Sequence, residues 1–138
     1  MLLAHLPAEQ LETYLARVKL VGRTDNTITT VAKLRKVIAQ VQKAGFAMLD
    51  QELEVGLRSI AVPVRDSRGT VVAAINVGTH SSRFSLAELE SRCLPPLRQC
   101  ADETDPDASR LTGRAPTVGH RQVERPQTAA TAARRPSR

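Results

Sequence analysis

The chain has 138 residues, of which 41% are hydrophobic and only 2% are aromatic, and its formal net charge is +6. Residues 1–103 hold 13 Lys and Arg against 11 Asp and Glu, whereas residues 104–138 hold 7 Arg against 3 acids. The near neutrality of the first part argues against a DNA-reading basic surface there. The absence of any run of about 18 apolar residues argues against a membrane helix.

Apolar residues stop recurring near Ala101, and this change divides the chain into two parts. The composition predicts one folded domain over residues 1–101 and a disordered tail over residues 102–138, rich in Arg, Ala, Pro and Thr, because such a tail cannot offset its ordering entropy. Its arginines can bind polyanions without sequence preference, although a solvated terminus without a role is the simpler interpretation. The first ten residues do not resemble a signal peptide, so the expected compartment is the cytoplasm, without membrane association.

Two amphipathic helices are predicted in the first 45 residues. Pro7 is typical of a first helical position. The apolar stripe that follows it at helical spacing consists of Leu11, Tyr14, Leu15 and Val18. Thr29 or Thr30 can cap the second helix, and Gly45 ends it. The stripe of this second helix consists of Val31, Leu34, Val37, Ile38 and Val41.

Three strands follow the helices. They are predicted over residues 46–50, 57–65 and 71–78, from the alternation of apolar side chains. The last two are joined by a hairpin turn in which Gly69 supplies a positive φ. Pro63 cannot donate to a strand ladder, which predicts a sheet edge or a bulge at that position.

A third helix closes the folded part. Ser85 and Glu88 have the S-x-x-E spacing of a capping box, and the helix is predicted to run to about Ala101. The order of elements is helix, helix, three strands, helix. It predicts an α+β fold whose antiparallel sheet is flanked by helices.

The sequence carries no assembled catalytic or metal-binding pattern. Asp50, Glu52 and Glu54 are spaced like an acidic cluster, but no His completes a site, and their position in a bend is typical of exposed charge. His80 has no identifiable acid or nucleophile partner. The sequence therefore predicts neither an enzyme nor a metal or cofactor site.

Three segments together resemble the effector-binding domain of IclR-family bacterial transcription regulators. They read LLAHLPAEQLETYL, then TDNTITTVAKLRKVIAQVQKAGFAMLDQELEVGLRSIAVPVRD, then GTVVAAINVGTHSSRFS, within residues 2–101. The run D-x-E-x-x-x-G-L-R-S-I-A-x-P-V joined to NVGTH looks most like the branch that governs catabolism of protocatechuate, 4-hydroxybenzoate and β-ketoadipate.

The resemblance implies a GAF-like domain that encloses a small organic acid and forms dimers and tetramers. The winged helix-turn-helix that reads DNA in such regulators is absent from this sequence, as are the first strands of the domain, so the chain is expected to be N-terminally truncated. It implies sensing of an aromatic or dicarboxylic acid effector, by a homo-oligomer or by a pair formed with a full-length paralogue. The alternative is a non-functional remnant of a regulator gene, and a small enzyme is the third interpretation.

The resemblance also implies the residues that would face the effector. They are Leu49, Asp50, Leu57, Ser59, Asn76 and Gly78. Ser59 and Asn76 can donate to a carboxylate or phenol, Gly78 allows close approach to the backbone, and the leucines cover an apolar ring. In a purely structural interpretation, Ser59 and Asn76 satisfy neighbouring groups and Asp50 caps a turn. Arg58 is interpreted as structural, pairing with Glu52 or Glu54 at the bend.

Overall fold

The computed structural model describes residues 1–104. Within them lie a short 3-10 helix, three α-helices and three strands. Their bounds are Leu2–His5 for the 3-10 helix, Ala8–Arg17 for α1, Val31–Ala44 for α2, Ala47–Asp50 for β1, Leu57–Arg65 for β2, Val71–His80 for β3 and Leu86–Glu103 for α3. The predicted α+β architecture is confirmed. The predicted tail lies outside the described residues from position 105 onward.

Local chemistry explains where the helices begin and end. The Thr30 hydroxyl accepts from the Lys33 N–H at 3.3 Å and caps α2, while Gly45 ends it in the left-handed region at φ 74°. At α3 the predicted capping box is confirmed. The Glu88 N–H donates to the Ser85 hydroxyl at 3.2 Å, and the Ser85 N–H donates to the Glu88 carboxylate at 2.9 Å.

The strands form an antiparallel sheet in the order β1-β2-β3. The turn before β3 is closed by Asp66, whose carboxylate accepts from the N–H groups of Arg68 at 3.0 Å and Thr70 at 2.9 Å. Gly69 there has the predicted positive φ, at 82°.

Pro63 lies in the central strand of this sheet, where a proline requires an explanation. β1 pairs with β2 only from Arg58 to Ala61. The Gln51 N–H donates to the Leu57 carbonyl, so the odd-numbered residues of β2 direct their backbone groups toward β1. The missing N–H of Pro63 therefore points past the start of β1 and costs no sheet hydrogen bond. The predicted sheet edge is wrong, because β2 is the central strand. The predicted irregularity lies one residue further along, as a register shift between Val64 and Arg65.

The two faces of the sheet bury different clusters. One face packs on α3, and its core consists of Ile60, Val62, Val64, Leu89, Leu94, Leu97 and Ala101. The other face is covered in part by the N-terminal helices through a second cluster, built on Ala4, Leu15, Ile38 and Val41. The predicted stripe of α2 packs in or against this second cluster. The stripe of α1 does so except for Tyr14, which is 41% exposed.

Candidate ligand-binding site

Strand pairing brings five of the six predicted ligand residues to one face of the sheet. Leu49 lies opposite Ser59, and Ser59 lies opposite Gly78 on the next strand. Asn76 lies opposite Ala61, two residues along β2 from Ser59. Directly paired residues share a face, and so do residues two apart on one strand. Leu57 therefore joins this group, which lies on the face opposite α3.

The N-terminal helices enclose a cavity of about 170 Å³ over part of this face. It is lined by Met1, Leu3, Ala4, Ile28, Leu34, Val37, Ile38, Val41, Ala47, Met48, Leu49, Glu52, Ser59 and Ala61. Leu49 and Ser59 are thus cavity residues. Leu57, Asn76 and Gly78 do not line it, and the last two are solvent-exposed on β3. The predicted set therefore divides into two residues in the cavity wall and three on the same face outside it.

Asp50, the sixth predicted residue, faces the opposite way. Its Oδ1 accepts from Arg58 Nε at 2.6 Å, and Arg58 Nη1 donates to the carbonyls of Phe84 at 2.8 Å and Ser81 at 3.3 Å. This hydrogen bond from Arg58 is the main reason that the pKa of Asp50 lies below its ordinary value. Arg58 is structural, as expected, but its acidic partner is Asp50 rather than Glu52 or Glu54.

The bend between β1 and β2 is held by side chains from a distant loop. The Thr24 hydroxyl donates to the Gln51 carbonyl at 2.6 Å, and the Thr27 hydroxyl donates to the Glu52 carbonyl at 2.6 Å. Gln51 takes a positive φ of 56°, and its side-chain oxygen accepts from the Gly56 N–H at 2.9 Å. These contacts fix the path of the chain where it passes the cavity.

Glu52 is a cavity residue that the sequence did not predict. Burial is the main cause that raises its pKa, and the negative charge of Asp50 adds to the effect. Its place in the wall depends on the irregular bend and on the two threonines, about 25 positions away in the sequence. Strand alternation gives no signal for such a position.

His80 has a hydroxyl neighbour that the sequence analysis did not identify. Its Nδ1 lies 2.8 Å from the Ser82 hydroxyl and 3.2 Å from the Ser82 backbone nitrogen, whose N–H donates to it. The contact is local and exposed, and no carboxylate orients the ring among the hydrogen bonds of residues 1–104. It stabilises the turn after β3.

Residues 1–104 contain no group of three or more His, Cys, Asp or Glu arranged to hold a metal ion. In the same residues no helix has the length and apolar character needed to cross a membrane. Larger depressions of about 660 and 710 Å³ lie on the surfaces of α1 and α3. Since one face of a single helix lines each of these two, they cannot surround a ligand. A third depression, of about 410 Å³, lies between β2 and α3, and none of the predicted ligand residues lines it. The cavity beside β1 and β2 is the candidate site.

Comparison with known proteins identifies the class. The family described as bacterial transcriptional regulator IclR C-terminal matches residues 1–106. The chain therefore belongs to this family, and its fold is that of the family's ligand-binding domain.

Particular relatives are consistent with this class. The chain is 48% identical over 96 residues to the Pca regulon regulatory protein of Pseudomonas putida, covering 70% of this chain and 33% of that protein. It is 36% identical over 89 residues to the HTH-type transcriptional regulator KdgR of Escherichia coli, covering 64% of this chain and 34% of that protein. The chain thus spans about a third of the length of these curated relatives.

Solved structures of transcription regulators have a similar fold. A regulator from Rhodococcus matches with a TM-score of 0.75 and 41% identity, over 80% of this chain and 44% of that one. The inducer-binding domain of a double mutant of the PobR transcription factor from Acinetobacter, in complex with 3-hydroxybenzoic acid, matches with a TM-score of 0.70 and 29% identity. That match covers 74% of this chain and 58% of the PobR chain.

Proposed function

We propose that this chain senses a small aromatic or dicarboxylic acid for a transcription regulator of aromatic catabolism. The observation that carries the proposal is the cavity whose wall includes Leu49 and Ser59, beside a sheet face that also presents Asn76 and Gly78. Its volume of about 170 Å³ is close to that of an engineered apolar cavity of about 150 Å³ that binds benzene. A single ring fits such a space.

The relatives support the chemical class of the effector. One is a Pca regulon regulatory protein, and another is a double mutant of a PobR domain crystallised with 3-hydroxybenzoic acid. The branch of the family that the sequence resembles supplies the first compounds to test, which are protocatechuate, 4-hydroxybenzoate and β-ketoadipate. No catalytic step is proposed, since nothing in the cavity wall pairs a nucleophile with a base.

The effector would act by shifting a conformational equilibrium. A ligand favours the state that it binds more tightly, and it shifts the population by that difference in affinity. In this chain the two states would be arrangements of a homo-oligomer, or of a pair formed with a full-length paralogue. DNA would be reached only through a winged helix-turn-helix domain outside this sequence.

Calorimetry on the full 138-residue chain tests the proposal. Each of the three compounds is titrated into wild type, into Ser59→Val, and into Ser91→Ala as a control on the exposed side of α3. We expect heat from at least one compound, weaker binding by Ser59→Val and no change in Ser91→Ala. A folded sample that gives no heat with any of them would overturn the proposal.

A non-functional remnant is the competing proposal, and the exposure of Asn76 and Gly78 on the sheet face favours it. Circular dichroism during heating separates the two. A cooperative melting transition, shifted upward by a bound compound, supports the sensor. A non-cooperative transition supports the remnant.

A further inference from the structure

The cavity of the proposed effector site has an unusual wall. Of its fourteen lining residues, twelve are apolar, and the other two are Ser59 and Glu52. No Lys, Arg or His lines it. A wall of twelve apolar residues with one glutamate and one serine offers no cation to a ligand carboxylate. A negatively charged glutamate there would also repel such a carboxylate, more strongly as water is excluded.

The backbone carbonyl of Glu52 is hydrogen-bonded, whereas its side-chain carboxylate has no partner among residues 1–104. Thr27 donates to the Glu52 carbonyl, and Thr24 lies within 3.5 Å of the same oxygen. The three ion pairs among residues 1–104 join Glu12 to Arg35, Asp50 to Arg58 and Asp66 to Arg68. Within those residues the Glu52 carboxylate takes part in no ion pair and no side-chain hydrogen bond. Its acceptor oxygens are therefore available to a ligand.

We propose that Glu52 accepts a hydrogen bond from a ring hydroxyl of the effector, and that the cavity thereby selects hydroxylated aromatic acids over acids without a hydroxyl. The inference rests on the proposed function and narrows it. Burial raises the pKa of Glu52, and a hydroxyl that donates to its carboxylate offsets this effect by stabilising the ionised form. Such a charge-assisted hydrogen bond is about twice as strong as a neutral one. The hydroxyl end of the effector enters the cavity, and the carboxylate end stays outside.

The amino terminus requires its own control. Met1 also lines the cavity, and burial lowers the pKa of its amino group. Desolvation therefore disfavours the positive charge that would attract a ligand carboxylate into the cavity. A short Gly-Ser extension before Met1 displaces this amine without changing a wall side chain.

Calorimetry with 4-hydroxybenzoate and benzoate measures the selection directly. In wild type we expect the hydroxylated compound to bind about tenfold more tightly or better, as for a hydrogen bond to a charged group. Glu52→Gln should lower the affinity for 4-hydroxybenzoate several-fold and should leave the affinity for benzoate unchanged or higher. Glu52→Leu should reduce the preference to less than about twofold.

Glu54→Gln is the matched control, since Glu54 lies in the same bend but is exposed and outside the cavity. It should keep the wild-type preference, and so should the chain with the Gly-Ser extension. Equal affinities for both compounds in wild type would overturn the role of Glu52 while leaving the sensor proposal standing. The role of Glu52 would also be overturned if Glu52→Leu kept the preference for 4-hydroxybenzoate over benzoate. The same holds if the Gly-Ser extension before Met1 abolished that preference. If neither compound binds, the role of Glu52 is overturned. The sensor proposal falls with it only if protocatechuate and β-ketoadipate also give no heat.

Discussion

Asp50 and Arg58 lie opposite each other across β1 and β2, with 2.6 Å between Arg58 Nε and Asp50 Oδ1. The same guanidinium donates to the carbonyls of Ser81 and Phe84, in the loop that leads into α3. One half-buried side chain therefore joins the end of β1 to the start of α3. It does so on the face away from the cavity.

Replacing this guanidinium should destabilise the domain. In Arg58→Met the carbonyls of Ser81 and Phe84 lose a charged donor, and we expect the free energy of unfolding to fall by about 1–2 kcal/mol. Urea denaturation followed by circular dichroism measures the change. Arg83→Met, at an exposed residue of the same loop, should have little effect, and an equal loss in both variants would contradict the role given to Arg58.

The stability of the domain should fall on the acid side. Asp66 has a pKa below its ordinary value of 3.8, mainly because the Thr70 N–H donates to its carboxylate. A lowered folded-state pKa contributes stability that is present above the unfolded pKa and is lost as the pH falls through the folded one. The urea midpoint should therefore decrease from about pH 5 toward pH 2.

Asp66→Asn isolates the contribution of this turn to the loss of stability at low pH. The variant should be less stable near neutral pH and should lose less stability on acidification than wild type. If Asp66→Asn loses as much stability between about pH 5 and pH 2 as wild type does, the pH dependence belongs to other carboxylates. Asp50 and Glu88 are the candidates, since their pKa values are also lowered.

A side chain at Gly56 should destabilise the domain more than one at Gly69. Its φ is 88°, and a Cβ there would lie 2.7 Å from His80 Nε2. Gly69 has a similar φ of 82° with nothing within 4 Å of its Cβ position. Gly69→Ala should therefore cost about 1–2 kcal/mol from backbone strain alone. Gly56→Ala should cost more, because the His80 ring must also move. Thermal melts of both variants test this, and equal losses would show that the ring moves freely.

Filling the cavity should remove ligand binding without unfolding the protein. In Ala61→Leu the added carbons occupy space beside Ser59, so we expect effector affinity to fall by about tenfold or more while the melting temperature stays the same or rises. Ala74→Leu is the control, since Ala74 lies opposite Pro63 on the same sheet face but is exposed and outside the cavity. A similar loss in both variants would place the binding site elsewhere on this face.

Regular periodicity made most of the fold predictable. The spacing of apolar residues and the capping signals predicted each α-helix and strand to within two residues at its ends, and the signals at Gly45 and Ser85 were correct. The 3-10 helix Leu2–His5 was not predicted. The family resemblance, not periodicity, placed Leu49 and Ser59 in one group, and both lie on regular paired strands that present them on the same face. The same rule places Asp50, adjacent to Leu49, on the other face, so one pocket wall cannot receive both side chains.

The bend between β1 and β2 could not be predicted from periodicity, because it is irregular. Glu52 was interpreted as exposed charge, and its position in the cavity wall follows from the positive φ of Gln51 together with hydrogen bonds from Thr24 and Thr27. Such contacts join positions far apart in the sequence and leave no periodic pattern. The exposure of Tyr14, which belongs to the predicted stripe of α1, likewise depends on which neighbours pack against that helix.

The hydroxyls of Thr24 and Thr27 donate to backbone carbonyls of the bend between β1 and β2. Neither threonine lines the cavity. The shape of the wall is therefore set partly by residues that no ligand would touch. Variants selected for response to a new compound should arise at these two threonines as well as in the lining. Inherited changes at the same positions offer a route by which related proteins acquire different preferences while every contacting side chain stays the same.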